Sequence, residues 1–370
     1  MVDLYAQHKK LEPQLLRSFQ QVILSSAFIK GKEVSDFEKK LAEYLQADEV
    51  ISCANGTDAL QIALMALDLK PGDEVIVPGF TYVATAEVIA LLGLIPVMVD
   101  VEEETFNISI QEVAKAITSK TKAIIPVHLF GQSCDMEPLM QLAAKHNLWV
   151  IEDNAQSLGA TYTFGNGSVR KAGTIGHIGC TSFFPTKNLG CMGDGGAIMT
   201  NDKNLAEKIR MIANHGQQKK YYHKVLGCNS RLDTIQAAVL NLKLSHLEDY
   251  LDARKKVGSF YQHALENFSY SLLPATSPKS KHTYNQFTIK VLKGRRAELQ
   301  YYLTGLGIPT MIYYPLPLYK QEAFCKFVCS DFTLPVTEKL CKSVLSIPVH
   351  TEMKIEELEY ITEAIINFKP

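Results

Sequence analysis

From about residue 49 onward, short β-forming runs alternate with helix-forming stretches, and that alternation leaves few folds open. Residues 50–53 (VISC) lead into a predicted helix over 58–67. Residues 74–77 (EVIV) pass through Pro78-Gly79 into another helix, and the run 96–100 (PVMVD) follows. Residues 123–127 (AIIPV), a helix over 139–146 and the run 148–151 (LWVI) continue the pattern, with further strands at 180–184 and 197–200. Such repetition builds βαβ units, hence a mostly parallel sheet with helices on both faces. Before it, residues 10–46 read as helical with an interruption near Gly31, and the turn Gly165-Asn166-Gly167 reads as a hairpin or a short excursion. After it, a long helical tract is predicted over 232–265. The texture then shifts to a strand at 287–291 and helices at 296–303 and 355–366. The expectation is an α/β chain with a large domain over 1–250 and a smaller α+β domain over 251–370, a division that suits 370 residues.

Composition narrows the function. A formal net charge of −1 without a sustained basic run argues against nucleic-acid binding, and Lys219, Lys220 and Lys224 are too few to change that. The opening MVDLYAQHKKLEPQLL has charges where a signal peptide needs an apolar stretch, and the apolar passage 83–98 is broken by Thr, Glu, Gly and Pro. No membrane partner is expected, and a cytoplasmic location is. The eight cysteines form no CxxC pair, and Cys325 and Cys329 lack a neighbouring His. Free thiols in a reducing compartment, and no metal, are the expectation.

Open α/β sheets bind ligands beyond the carboxyl ends of their strands, so the residues that follow each strand carry the chemistry. Ala54-Asn55-Gly56-Thr57 sits between a strand and a helix, where free N–H groups and the helix dipole suit an anion; alone, it reads better as an ordinary helix cap. Pro78-Gly79-Phe80-Thr81-Tyr82 offers an aromatic face for a flat ring, or simply core. The run ending Glu152-Asp153-Asn154-Ala155-Gln156 delivers a carboxylate suited to a cation such as a pyridinium nitrogen. Thr181 to Gly196 places Lys187 after a Pro-Thr step and before a glycine-rich loop, unlike a solvated lysine. Desolvation there would lower its pKa, as imine formation requires. Anion cup, aromatic, acid and lysine together are the parts that hold pyridoxal phosphate.

With those residues in view, the chain resembles the sugar aminotransferases of the DegT/DnrJ/StrS family, a branch of the fold-type I pyridoxal-phosphate enzymes. The motifs are NGTDAL (55–60), PGFTYVATAE (78–87), IEDNAQS (151–157), SFFPTKNLGCMGDGG (182–196), NSRLDTIQAA (229–238) and IPTMIYYP (308–315). The resemblance implies a seven-stranded sheet and pyridoxal 5'-phosphate, with Lys187 as the Schiff-base lysine and proton shuttle. Asp153 would pair with the pyridine nitrogen, Gln156 with the phenolic oxygen, and Tyr82 would stack on the ring. Gly56, Thr57 and Ser182 would cradle the phosphate, and Asn229 would reach it from a neighbouring subunit, which makes a homodimer the active unit. Arg231 would grip a carboxylate, while Tyr313 and Tyr314 would lie near the sugar, as would Tyr319.

The implied reaction takes an amino group from L-glutamate, releasing 2-oxoglutarate, and places it on a nucleotide-linked keto sugar. The branch that aminates UDP-2-acetamido-2-deoxy-3-oxo-D-glucuronate for bacterial O-antigen is most similar. Tyr313 and Tyr319 stand where that branch or other relatives have His, so a 3-keto or 4-keto deoxyhexose on UDP or dTDP is the alternative. Three rivals are weighed. A non-catalytic regulatory protein would be free to lose Lys187, Asp153 and Gln156. A nicotinamide enzyme would need a GxGxxG loop that residues 54–57 do not supply. A desulfurase would need Cys191 as an activated thiolate.

Overall fold

A computed structural model describes residues 1–369. The β runs form one sheet of seven strands: β1 (Glu49–Cys53), β2 (Glu74–Pro78), β3 (Ile95–Val99), β4 (Thr121–Ile124), β5 (Trp149–Asp153), β6 (Ile178–Ser182) and β7 (Gly196–Thr200). Their spatial order is β1-β7-β6-β5-β4-β2-β3. β7 runs antiparallel to both neighbours, and the other pairings are parallel. The strands are buried on both faces, which is why they read as apolar runs and not as alternating ones.

The helices are α1 (Leu4–Ser25), α2 (Lys32–Leu45), α3 (Gly56–Ala66), α4 (Ala84–Leu91), α5 (Ile110–Ala116), α6 (Met136–Lys145), α7 (Lys203–Ile212), α8 (Thr234–Leu244) and α9 (Leu247–Ala264). Because neighbouring side chains of a strand point to opposite faces, Val75 and Val77 join one core with α3, α4 and α7, while Ile76 joins another with α5 and α6. A third core sets Val50 and Met199 against Phe37 and Leu41 of α2 and Leu240 of α8. The helical tract over 10–46 is therefore two helices. Ser26 turns the chain with φ of 52°, and the Gly31 N–H meets the Thr234 hydroxyl at 3.0 Å before α2 begins. The tract over 232–265 likewise divides between α8 and α9.

A three-stranded antiparallel sheet follows, with β9 (Phe287–Val291) between β8 (Ser271–Leu272) and β10 (Val344–Ile347). α10 (Arg296–Gly305) and α12 (Ile355–Ile366) cover it, with α11 (Pro335–Ser343) leading into β10. Two features tie this layer to the large sheet. α9 places Leu247 and Leu251 in one core and Val257 and Tyr261 in the other. Leu318, Tyr319, Phe324 and Leu334 return to pack with the helices of the large sheet. The Gly165-Asn166-Gly167 turn joins Thr161–Thr163 to Val169–Lys171 as an antiparallel hairpin. Among the described residues no helix is long and apolar enough to cross a membrane.

Candidate active site

The register of the sheet brings the chemistry to one end. Gly196, the first residue of the antiparallel β7, lies opposite both Cys53 at the end of β1 and Ser182 at the end of β6. The loop that follows β1 therefore meets the loop that follows β6. Asn55 caps α3 by accepting the Asp58 N–H at 2.8 Å, and Gly56 opens the helix. The N–H groups of Gly56 and Thr57 have no carbonyl to meet within that helix, and they stand at its positive end. A Cβ on Gly56 would lie 2.7 Å from the Ser182 Cβ, so only glycine allows cup and serine to touch. Gly56 and Thr57 are thus brought beside Ser182, more than a hundred residues away along the chain.

Lys187 lies in the connection from β6 to β7, which is closed at both ends by the sheet. Its own N–H bonds to the Phe184 carbonyl at 2.9 Å. The Asn188 amide holds the Leu158 carbonyl at 3.1 Å and the Thr283 hydroxyl at 3.0 Å, and Lys243 donates to the Gly190 carbonyl at 2.9 Å. Phe183 is buried edge-on against Phe37 of α2, with centroids 5.3 Å apart. The lysine is thus presented from a braced loop. Burial draws its ammonium down to about 8, partly opposed by the charge of Asp153.

Asp153 ends β5 and is 6% exposed. One carboxylate oxygen accepts the Thr85 hydroxyl at 2.8 Å and the other accepts the Ala155 N–H at 3.1 Å. Gln156 accepts the Phe130 N–H at 2.8 Å, which fixes its amide orientation, and donates to the Tyr314 hydroxyl at 3.1 Å. One amide hydrogen of Gln156 is left over from those bonds. Phe130 reaches this position with φ of 58°, a left-handed conformation that is uncommon outside glycine and clusters at functional sites. Tyr82 is 58% exposed and tilted toward Tyr314 at 6.4 Å, and Tyr314 also meets Phe80 edge-on at 5.8 Å. Tyr313 is half-buried beside it. Burial pushes the Tyr314 phenol far up, so it stays protonated at ordinary pH.

Among the described residues, the remaining candidates make no hydrogen bond to this cluster, although Ser230, between Asn229 and Arg231, accepts the Ala54 N–H at 3.1 Å. Asn229 is exposed and pairs through its backbone with Asn214. Arg231 lines a neighbouring cleft of about 250 Å³ with Lys30, Glu38, Ser52 and Arg210. Tyr319, expected near the sugar, is 4% exposed. Its hydroxyl bonds to Glu338 and accepts the Leu334 N–H at 3.4 Å, so it braces a loop instead. Cys191 is fully buried, its thiol donating to the Phe183 and Gly193 carbonyls, and burial pushes it up to about 11, the opposite of an activated thiolate.

Three participants were not singled out from the sequence: the Thr85 hydroxyl, the Phe130 N–H, and the buried pair beneath Asp153. In that pair His128 accepts the Cys134 N–H at Nδ1, so Nε2 carries the proton it shares with Glu152 at 2.7 Å. Burial opposes the charge on Glu152, yet His128 and the N–H groups of Gly173 and Gly176 hold its carboxyl below the usual range. The adjacent acids Glu152 and Asp153 thereby point to separate tasks, one structural and one facing the site.

Comparison with known proteins accords with this geometry. The chain is 46% identical to a "pleiotropic regulatory protein" of Geobacillus stearothermophilus, over 100% of this chain and 98% of that one. It is 43% identical to the UDP-2-acetamido-2-deoxy-3-oxo-D-glucuronate aminotransferase of Pseudomonas aeruginosa, over 99% of each. It is 41% identical to a dTDP-3-amino-3,6-dideoxy-alpha-D-galactopyranose transaminase of Aneurinibacillus thermoaerophilus, over 99% and 98%. An aminotransferase of the same family from Brucella abortus superposes with a TM-score of 0.93 at 40% identity, covering 98% of this chain and 97% of the other. The ntda structure from Bacillus subtilis, solved with bound cofactor PMP, superposes at 0.89 and 32% identity over 96% and 81%. Residues 9–366 match the DegT/DnrJ/EryC1/StrS family, and the chain belongs to it as a pyridoxal-phosphate-dependent nucleotide-sugar aminotransferase.

Proposed function

We propose that this enzyme transfers the amino group of L-glutamate to the keto carbon of UDP-2-acetamido-2-deoxy-3-oxo-D-glucuronate. The same reading assigns it a cytoplasmic step that supplies amino sugar for O-antigen. The supporting observation is Lys187, its ammonium drawn down to about 8 by desolvation within reach of the charge of Asp153. The choice of sugar leans on the activity of the Pseudomonas relative. Arg231 and Lys30, together in one cleft, offer cationic groups for a uronate or for the glutamate carboxylates.

The donor set fits pyridoxal phosphate. Gly56, Thr57 and Ser182 would take the phosphate, Asp153 the pyridine nitrogen, the free amide hydrogen of Gln156 the phenolic oxygen, and the exposed ring of Tyr82 one face. Bound there, the cofactor supplies an electron sink for loss of the proton beside the transferred amine. Asp153, whose oxygens accept only neutral donors from the protein, would hold the ring nitrogen in its protonated form. Lys187, once its amine is free, is neutral in part near pH 7 and can take that proton and return it. Tyr314 keeps its hydroxyl hydrogen for another acceptor, because in its bond to Gln156 it accepts.

Asn229, exposed at the surface, would complete the cradle of a second copy, making a homodimer with shared sites. The first test is the visible absorption of the purified protein before and after glutamate, alongside Lys187→Ala. The wild type should lose its cofactor band on adding glutamate, and the variant should not complete the change. A protein that ignores both pyridoxal phosphate and glutamate would support instead the regulatory reading that the Geobacillus name suggests. A panel of UDP- and dTDP-linked keto sugars then decides the acceptor. Turnover confined to a dTDP- or UDP-linked 6-deoxyhexose would displace the uronate.

A further inference from the structure

Thr85 occupies the first turn of α4 and is 0% exposed. A threonine so placed usually caps the helix or bonds back to a carbonyl one turn earlier. Thr85 does neither: Val83 is the N-cap residue, and the Thr85 hydroxyl crosses to Asp153, 68 residues away in sequence, at 2.8 Å. In that bond the hydroxyl donates and the carboxylate oxygen accepts. The lone pairs of Thr85 then face Thr81, itself 2% exposed, whose hydroxyl lies 3.4 Å away. The outcome is a one-way chain, Thr81 to Thr85 to Asp153. With the Ala155 N–H on the other oxygen, the carboxylate is gripped at both ends and its plane is set.

We propose that Thr85 is a positioning residue that holds Asp153 in the orientation that meets the pyridine nitrogen; this rests on the reading of Asp153 given above. Valine would fill the same space, keep the helix and remove only the donor. The carboxylate would then be free to rotate about its last torsion, and part of its interaction with the ring would be lost. Outer-shell partners of this kind commonly alter the affinity of a bound centre by about 10–100-fold.

The test is titration of the apoprotein with pyridoxal phosphate, followed by visible absorption, for wild type, Thr85→Val, Thr85→Ser, Asp153→Asn and the Thr85→Val/Asp153→Asn double variant. Apoprotein melting temperatures are recorded in parallel. The expected result is cofactor affinity about tenfold or more weaker for valine and within about threefold for serine. Valine should have no further effect on the Asp153→Asn background, and the apoprotein melting temperatures should be close to one another. Wild-type affinity in Thr85→Val, equal losses with serine and valine, or a valine effect that survives Asp153→Asn would each overturn the proposal. So would a Thr85→Val apoprotein that fails to fold while serine folds, since the hydroxyl would then belong to the fold. An Asp153→Asn protein that binds as tightly as wild type would instead overturn the reading of Asp153 itself.

Discussion

At the scale of single residues, the lowered pKa of Lys187 makes two different statements. The folded apoprotein releases this proton near 8, whereas the unfolded chain keeps it to the ordinary value of 10.5. Between those limits the unfolded state binds more protons, so the contribution to stability rises with pH, by at most about 1.4 kcal/mol per pH unit. Below about 8 the enclosed charge is a standing cost to the fold. Denaturant midpoints of the apoprotein across this window should climb more steeply for wild type than for Lys187→Met; Lys243, drawn down to a similar value, contributes equally to both. The rate at which the apoprotein takes up pyridoxal phosphate should also rise through pH 7 to 8, tracking neutral amine, and level off above. A stopped-flow profile flat across that range would contradict the lowered value. The strand-end positions of Lys187, Asp153 and Gln156 were legible in the sequence, Asp153 closing a strand and the other two following one, each within a motif. Thr85 was not, since a threonine inside a helix shows nothing of a partner 68 residues away. Tyr319 was misplaced for a related reason: spacing locates a backbone position, but the direction of the phenol depends on Glu338 and Leu334, which approach from later in the chain.

At the scale of elements, the site is made where secondary structure ends. Removing the cap at Asn55 should cost α3 about 1 kcal/mol and disorder the N–H groups that face the anion. Asn55→Ala is therefore expected to lower both the melting temperature and phosphate-dependent cofactor retention, measured by dialysis against phosphate buffer. Phe37 acts at longer range. It is fully buried in α2, and its contact with Phe183 supports the beginning of the lysine loop. Phe37→Ala should destabilise the protein by about 3–5 kcal/mol and broaden the cofactor absorption, as a loosened lysine samples several positions. A stability loss with an unchanged spectrum would show the loop to be held by its other anchors. Strand placement was readable because parallel strands buried on both faces are uninterrupted apolar runs. The break near Gly31 was readable too, whereas the division of the 232–265 tract between α8 and α9, at Ser245 and His246, was not.

At the scale of the whole molecule, the proposed exchange of Asn229 between subunits makes a prediction that no single chain can meet. Lys187→Ala and Asn229→Ala proteins, each impaired alone, should regain activity when unfolded together and refolded as a mixture, because one of the two sites in a mixed dimer has neither change. No recovery, with mixed dimers confirmed by mass spectrometry, would confine Asn229 to its own chain. The division at 250/251 expected from the sequence falls inside α9 (Leu247–Ala264). What the sequence could not display is how the layers share material. α9 has one end in the core under β7 and the other in the core under β9, and the loop through Leu318 and Phe324 crosses back the opposite way. A helix that serves two cores cannot melt on behalf of one alone. Calorimetry of the apoprotein should accordingly give a single endotherm, and proteolysis should find no surviving half. Anyone seeking to graft the C-terminal layer onto another catalytic sheet would have to carry α9 along as the mortise.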